Sequence, residues 1–287
     1  MPHANSLISS PLNLCWVALR YTSSAVLLLL SLSSAWAQEI LEPVKRVTET
    51  THRPRIALVI DDLGHQSRPG ERAVALPGGP ITFAVLPHTA FGARLAEMAH
   101  DRGHQVILHL PMEPLGHHSR HPGMLTSEMS QAEFVTTLRH NIAAVPHIEG
   151  INNHMGSALT QQPQQMAWLM SEIKQHGALF FLDSRTTPRS VAYPTAMSSG
   201  ILSLNRDIFL DNERSPRAIE VQFGRLLAKA KSRGYAIGIG HPYPETLEAL
   251  ERYLPMLTAM GFELVKLSEL DRPSGSLRHH LASVLNE

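Results

Sequence analysis

The sequence predicts an α/β protein, a single-domain distorted (β/α) barrel of about seven to eight strands. Short apolar runs without polar alternation recur along the chain, as expected of strands buried on both faces. Amphipathic stretches bounded by helix start and stop signals separate them, which argues for a parallel sheet with helical crossovers. Polar residues able to do chemistry follow one apolar run after another, at the strand ends where such folds place their sites.

The first run, Ile56-Ala57-Leu58-Val59-Ile60, is followed at once by Asp61, Asp62, Leu63 and Gly64. Side chains alternate along a strand, so adjacent carboxylates share a pocket only if the backbone turns there. One Asp would serve as a helix N-cap; two after a buried strand point to function. Further strands are expected at residues 81–86, 105–110, 148–152, 178–182, 200–204, 235–239 and 262–266. Phe91, Leu95, Met98 and Arg102 mark the first helix, closed by Gly103. Ser130-Gln131-Ala132-Glu133 is a capping box ahead of Phe134, Leu138, Ile142 and Val145. Met166, Met170 and Ile173 form a stripe ended by Gly177. Ser215 and Pro216 supply the N-cap and first helical residue for Ile219, Phe223, Leu226 and Leu227, with Gly234 as the stop. Pro244 opens a last helix along Leu247, Leu250 and Leu254, stopped by Gly261. Residues 111–129 read as an inserted loop and 272–287 as a polar tail, which bounds the barrel to 55–271.

The N-terminal part of the 287-residue chain reads as an export signal. Arg20 precedes the apolar run from Ala25 to Leu32, and Ala35-Trp36-Ala37 has the small-x-small pattern of a signal-peptidase site. Residues 1–37 are therefore expected to be a signal peptide and 38–54, polar with scattered Pro and Thr, a linker. The apolar run falls short of the about 20 residues that span a bilayer, so no stable membrane span is expected after cleavage. The single cysteine, Cys15, lies upstream of the cleavage point, leaving an exported, periplasmic protein without disulfide or thiolate ligand. Acidic and basic residues balance at 25 each, which argues against a nucleic-acid surface or a polybasic membrane patch. Histidines number 17, so position has to sort them.

The strand ends carry Asp61 and Asp62; His109, followed by Leu110-Pro111-Met112-Glu113-Pro114; Asn152, Asn153 and His154; Asp183-Ser184-Arg185-Thr186; Arg206, Asp207 and Asp211; and His241. In a barrel these ends open onto one face. An Asp with two His is a fitting ligand set for a catalytic divalent metal with an open position for water. Such a metal acidifies the water and polarises a carbonyl, while a neighbouring carboxylate takes the proton and a His opposite protonates the leaving group. This chemistry hydrolyses an amide or ester.

Residues 57–64, 107–114, 150–157, 181–186 and 239–242 together resemble the motifs of the divergent polysaccharide deacetylase family of exported bacterial proteins, part of the glycoside hydrolase/deacetylase superfamily of distorted (β/α) barrels. The resemblance implies a metal-dependent hydrolase of C–N bonds other than peptide bonds, removing acetyl groups from N-acetylated carbohydrate of the cell envelope, with peptidoglycan the obvious neighbour. By motif match Asp61 is the catalytic base, Asp62 and His109 are metal ligands, and His241 is the general acid. Ordinary polysaccharide deacetylases carry a second metal His a few residues after the first. Here none follows until His117, so the third ligand position is assigned to His154. Asp183 is expected to orient His241 or to bind substrate, with Asn153, Arg185, Arg206 and Asp207 as substrate contacts. Zinc is the first choice for a carboxylate–imidazole set, with manganese, iron, cobalt and nickel also compatible.

His117, His118 and His121 fall in the inserted loop and read as surface residues, and His88 as a rim or surface residue alike. Two other functional readings stay open. A glycosidase on the same barrel would pair Asp61 with Asp183, about 5–5.5 Å apart if retaining and about 6.5–9.5 Å if inverting, but has no need of strand-end histidines. A non-catalytic envelope protein binding glycan or a protein partner is kept open by the missing paired metal His. Trp168, Tyr193, Tyr235 and Tyr243 are few aromatics for a long glycan groove, which favours a small substrate.

Overall fold

In the first strand, β1 (Arg55–Leu63), Ile56, Leu58 and Ile60 pack against the surrounding helices, while Ala57 and Val59 face the interior of the sheet. All are fully buried, which is why the run lacks polar alternation. The computed structural model describes residues 53–116 and 121–270, all within one compact unit. The expected signal peptide, the linker up to residue 52, His117, His118 and the C-terminal tail lie outside the described residues.

Strands and helices alternate through β1, α1 (Ser67–Val74), β2 (Thr82–Val85), α2 (Gly92–Asp101), β3 (Gln105–Met112), α3 (Gln131–Ala143), β4 (Ile148–Met155), α4 (Pro163–Gln175), β5 (Phe180–Asp183), α5 (Ala192–Ser198) and β6 (Ser203–Asn205). There follow β7 (Ile208–Phe209), α6 (Pro216–Arg233), β8 (Tyr235–Gly240), α7 (Pro244–Tyr253) and β9 (Glu263–Leu264). Every strand pairing is parallel, in the order β6-β5-β4-β3-β2-β1-β8-β7, with β9 on the start of β1. β6 and β7 stand at opposite ends of that order, yet only Arg206 and Asp207 separate them in the chain. Arg206 N donates to Asp183 O (3.0 Å) and Asp207 N to Ile237 O (2.9 Å), so two consecutive residues tie both edges of the sheet. The sheet therefore curls into a distorted barrel whose seam is closed by the chain itself rather than by a ladder of hydrogen bonds.

Strand parity sorts side chains into two layers. Val106, Leu108, Leu110, Ile151 and Phe181 join Ile56 and Leu58 in the core between sheet and helices. Ile107, Phe180, Leu182, Ile237 and Ile239 join Ala57 and Val59 inside the barrel, with Val265, Leu267 and Leu270 packed among them. The helix signals act as expected. Ser130 and Glu133 form a reciprocal capping box on α3, Ser215 caps α6 ahead of Pro216, and Gly234 ends α6 in the left-handed conformation (φ 86°).

Three elements escape the sequence pattern. α1 begins Ser67-Arg68-Pro69-Gly70, which reads as a turn, but Pro is tolerated in a first helical turn where its N–H has no intrahelical partner. Gly70 lets Leu95 approach so closely that a Cβ there would sit 2.4 Å from Leu95 Cδ1. α5 and β7 span only 7 and 2 residues, too short for a period to register. The expected insert after residue 111 partly extends β3 to Met112, which bridges Leu125.

Candidate active site

Two adjacent carboxylates reach one pocket because β1 bulges between them. Ile60 pairs with Phe83 but Leu63 with Val85, so one extra residue is taken up in β1. Asp62 absorbs it with φ 61°, a left-handed conformation that Asp tolerates better than most residues. Asp61 keeps the parity of Ala57 and Val59 and points into the barrel mouth. Asp62, which parity alone would aim at the helices, reaches the same histidine: His109 Nε2 lies 3.1 Å from Asp62 Oδ1 and 3.8 Å from Asp61 Oδ2. Gly64 then turns the chain at φ 129°, where a Cβ would fall 2.0 Å from Thr89 Oγ1.

His109 and His154 share the interior parity of their strands, β3 and β4. Asp62 Oδ1, His109 Nε2 and His154 Nδ1 form a triangle with edges of 3.1, 2.9 and 3.1 Å. Asp62 Oδ1 is buried with no hydrogen-bond partner of acceptable geometry. Three lone-pair atoms about 3 Å apart, converging on an orphaned oxygen, match ligands held about 2.0–2.2 Å from a common cation. The residues present thus fit a divalent metal, and among the described residues this trio is the one cluster of at least three such groups. Burial alone would raise the Asp62 carboxyl, but the two imidazoles outweigh it and hold the group well below the usual carboxylate range. Burial pushes the His154 imidazole down, which keeps it neutral, the form that ligates a metal.

Asn152, on the same interior parity, joins ligand to base. Its Oδ1 lies 2.8 Å from His109 Nδ1, and its Nδ2 donates to Asp61 Oδ1 at 2.9 Å. A carbonyl oxygen can only accept, so His109 carries a proton on Nδ1 and turns Nε2 to the triangle. Burial opposes a second proton there, but Asp61 and Asp62 outweigh it and push the imidazole up, so a cation would have to displace that proton to take the Nε2 lone pair. Asp61 is 2 % exposed, and burial pushes its carboxyl up against the pull of His109 and His241.

His241, just past β8, stands beside the triangle with Nε2 3.8 Å from Asp62 Oδ2. Its Nδ1 donates to Asp211 Oδ1 at 2.9 Å, while Asp211 Oδ2 accepts from His241 N (2.6 Å) and Thr246 Oγ1 (2.8 Å). Burial disfavours the charged imidazole, but the hydrogen bond to Asp211 and its charge, with Asp61 and Asp62 nearby, push it up to about 9. The ring stacks against Phe209 (centroids 6.2 Å) and Tyr243 (5.2 Å). A cleft of about 440 Å³ opens beside Asp62, with Tyr243 and Arg214 among the residues that line it. A larger hollow, about 650 Å³, lies around His104 and Lys266 at the opposite ends of the strands, away from these groups.

The sequence profile of the divergent polysaccharide deacetylases matches residues 58–270, most of the chain. The chain belongs to that family. It is 36% identical to the uncharacterized protein YibQ of Escherichia coli (strain K12) over 216 residues, 75% of this chain and 67% of that one. An uncharacterized protein of Haemophilus influenzae is likewise 36% identical, over 72% of this chain and 75% of its own length. Among solved structures, the uncharacterized protein ATU2773 from Agrobacterium tumefaciens C58 shares the fold, with a TM-score of 0.72, 23% identity, and coverage of 76% of this chain and 89% of that one.

Several residues expected at this family member's site lie elsewhere. Asp183 has the parity of Phe181, on the helix side of β5. Its carboxylate accepts from Arg185 N (2.7 Å) and Ser190 Oγ (2.7 Å), so it shapes the loop after β5, and the carboxylate that orients His241 is Asp211. With both oxygens of Asp183 committed to Arg185 N and Ser190 Oγ, this carboxylate is not held as the partner that a glycosidase would pair with Asp61. Asn153 faces opposite to Asn152 and is used up by Met155 O (2.7 Å) and Ser184 N (2.9 Å). Asp207 is anchored far below the strand ends, pairing with Arg233 and Lys229 and accepting from Ile237 N at 2.9 Å. Arg206 remains near the site, covering the Phe209 ring at 3.8 Å, but its guanidinium donates to Ser184 O and Arg185 O. Arg185 is exposed on a left-handed turn (φ 49°). His121 is not a free surface residue, since its ring meets His154 edge-on at 4.9 Å. His88 is exposed, with its Nε2 3.0 Å from Asn141 Oδ1. The sequence-based assignment missed Asn152 and the part played by Asp211. Parity along β4, which selects every second residue back from His154, was the signal that would have found Asn152.

Proposed function

We propose that this protein is a metal-dependent hydrolase that removes acetyl groups from N-acetylated carbohydrate. The observation that carries this reading is the triangle of Asp62 Oδ1, His109 Nε2 and His154 Nδ1, with Asp61 Oδ2 3.8 Å from His109 Nε2 and His241 Nε2 3.8 Å from Asp62 Oδ2. Asp62, His109 and His154 would hold a divalent cation, zinc by ligand preference, which when bound supplies Lewis-acid polarisation of the acyl carbonyl and acidifies water. Asp61, raised by burial yet restrained by Asn152, accepts a proton from the attacking water as its oxygen adds to the acyl carbon. His241, whose charged form is favoured by the hydrogen bond to Asp211 and by its charge, donates its Nε2 proton to the departing amine as the C–N bond breaks. Asp211 keeps the other proton on Nδ1, so the imidazole stays aimed at the site throughout.

The substrate class follows the family, and the scarcity of aromatic residues favours a short N-acetylated sugar of the cell envelope, with peptidoglycan fragments as the natural trial substrates. Residues 1–37 support export and a periplasmic location. The test is acetate release from chitin oligomers and peptidoglycan fragments by the zinc-loaded protein. Release that falls at least about 100-fold in Asp61→Asn and in His241→Ala supports the reading. Release that is absent, or equal in all three proteins, refutes it.

A further inference from the structure

The cleft beside Asp62 is lined by Gly64, His65, Gln66, Arg214, Tyr243 and Pro244 among others. An aromatic residue in such a cleft would ordinarily serve as a stacking platform for a sugar ring, but Tyr243 is not available for this. His241 stacks on it at 5.2 Å between centroids, and Arg214 lies over it with Cζ 3.5 Å from the ring centre. The ring is thus already packed by an imidazole and a guanidinium. What the cleft offers instead is the guanidinium. Arg214 is exposed, and no carboxylate pairs with it among the described residues. The acidic groups nearby are already engaged: Asp62 by two imidazoles, and Asp211 by His241 and Thr246. The charge that Arg214 brings to the mouth of the cleft is therefore positive; its guanidinium lies against Tyr243, to whose hydroxyl it also hydrogen-bonds, and its remaining N–H groups can grip a planar or tetrahedral anion.

Resting on the deacetylase reading above, we propose that the N-acylated sugar taken by this site carries an anionic substituent, carboxylate or phosphate, and that Arg214 on Tyr243 selects it. The Tyr243 platform fixes the guanidinium plane, so charge alone is not equivalent and Lys at this position keeps only part of the preference.

The experiment titrates the metal-free protein, in which an anion has no cation to ligate, and follows binding by backbone amide chemical shifts. The probes are N-acetylmuramic acid (carboxylate), N-acetylglucosamine 6-phosphate (phosphate) and neutral N-acetylglucosamine. Wild type is expected to bind at least one anionic probe about tenfold or more tighter than the neutral one, with the better anion naming the source. Arg214→Ala loses that preference and Arg214→Lys keeps part of it, with unchanged circular dichroism in both. Equal affinity for all three probes in wild type overturns the proposal, as does a preference that survives in Arg214→Ala. Acetate release from neutral chitin oligomers, measured separately, tells the two ideas apart. Release without any anion preference overturns only the anion site. An Arg214-dependent preference with no release from any acylated sugar overturns only the hydrolase reading.

Discussion

Replacing Asp211 by Asn tests the electrostatics of the site at the carboxylate that holds His241. In wild type the carboxylate accepts from His241 Nδ1 through Oδ1, and from His241 N and Thr246 Oγ1 through Oδ2. Asn keeps one accepting oxygen, which the two Oδ2 donors would claim, and so turns its NH2 toward His241 Nδ1. That nitrogen must then accept, which leaves the imidazole neutral with its proton on Nε2. The gap between about 9 and the ordinary 6.5, at about 1.36 kcal/mol per pH unit, corresponds to about 3.4 kcal/mol as an upper value. With the charge of Asp211 gone and burial still opposing protonation, the midpoint is expected at or below about 6.5. The assay is an imidazole nitrogen NMR titration of metal-free wild type and Asp211→Asn. Metal is withheld because a cation beside Asp62 would itself repel the His241 proton. A raised histidine value means that its contribution to stability is complete below about pH 6.5 and is lost as pH climbs through about 9. Urea unfolding of wild type should therefore weaken between about pH 6.5 and 9 by up to about 3.4 kcal/mol, a decline that Asp211→Asn flattens. A wild-type midpoint near 6.5, or a variant midpoint still near 9, would refute the reasoning.

Three further substitutions separate site from scaffold. Asn152→Ala, which frees His109 to adopt the wrong tautomer, should weaken metal affinity about 10–100-fold by calorimetry while leaving the fold intact by circular dichroism. Asp207→Ala should leave metal binding unchanged but cost about 1–3 kcal/mol in urea unfolding, because Ile237 N loses its acceptor; a change in metal affinity without a change in stability would contradict its place as an anchor. Gly64→Ala should lower stability by more than about 2 kcal/mol, since φ 129° is closed to Ala and the added methyl meets Thr89; a thermal midpoint equal to wild type would overturn that packing argument.

Much of this was readable from the chain because the long buried strands and their caps obey local rules. The runs at β1, β3 and β8 are apolar on both faces, and Ser130, Ser215 and Gly234 carry their capping chemistry in the side chain or its absence. The convergence of Asp61, Asp62, His109, His154 and His241 followed from their place at strand ends. What sequence could not supply was parity relative to a backbone irregularity. Asp62 enters the site only because β1 bulges, and no alternation rule announces a bulge at two adjacent aspartates. The same parity, applied strictly, excludes Asn153 and Asp183 and selects Asn152. Asp211 was hidden for another reason: it follows a strand of only 2 residues, too short to be seen, whose pairing with β8 brings it to His241. Asp207 misled because a carboxylate four residues away on the same segment serves the seam of the barrel rather than its mouth.

The most direct test of the central claim is elemental analysis of the purified protein after equilibration with zinc, beside Asp62→Ala, His109→Ala and His154→Ala. One ion per chain is expected in wild type and loss of that ion in each variant, with all four proteins folded by circular dichroism. A folded wild type that takes up no zinc, manganese, iron, cobalt or nickel would contradict it, as would an ion retained in full after any of the three substitutions.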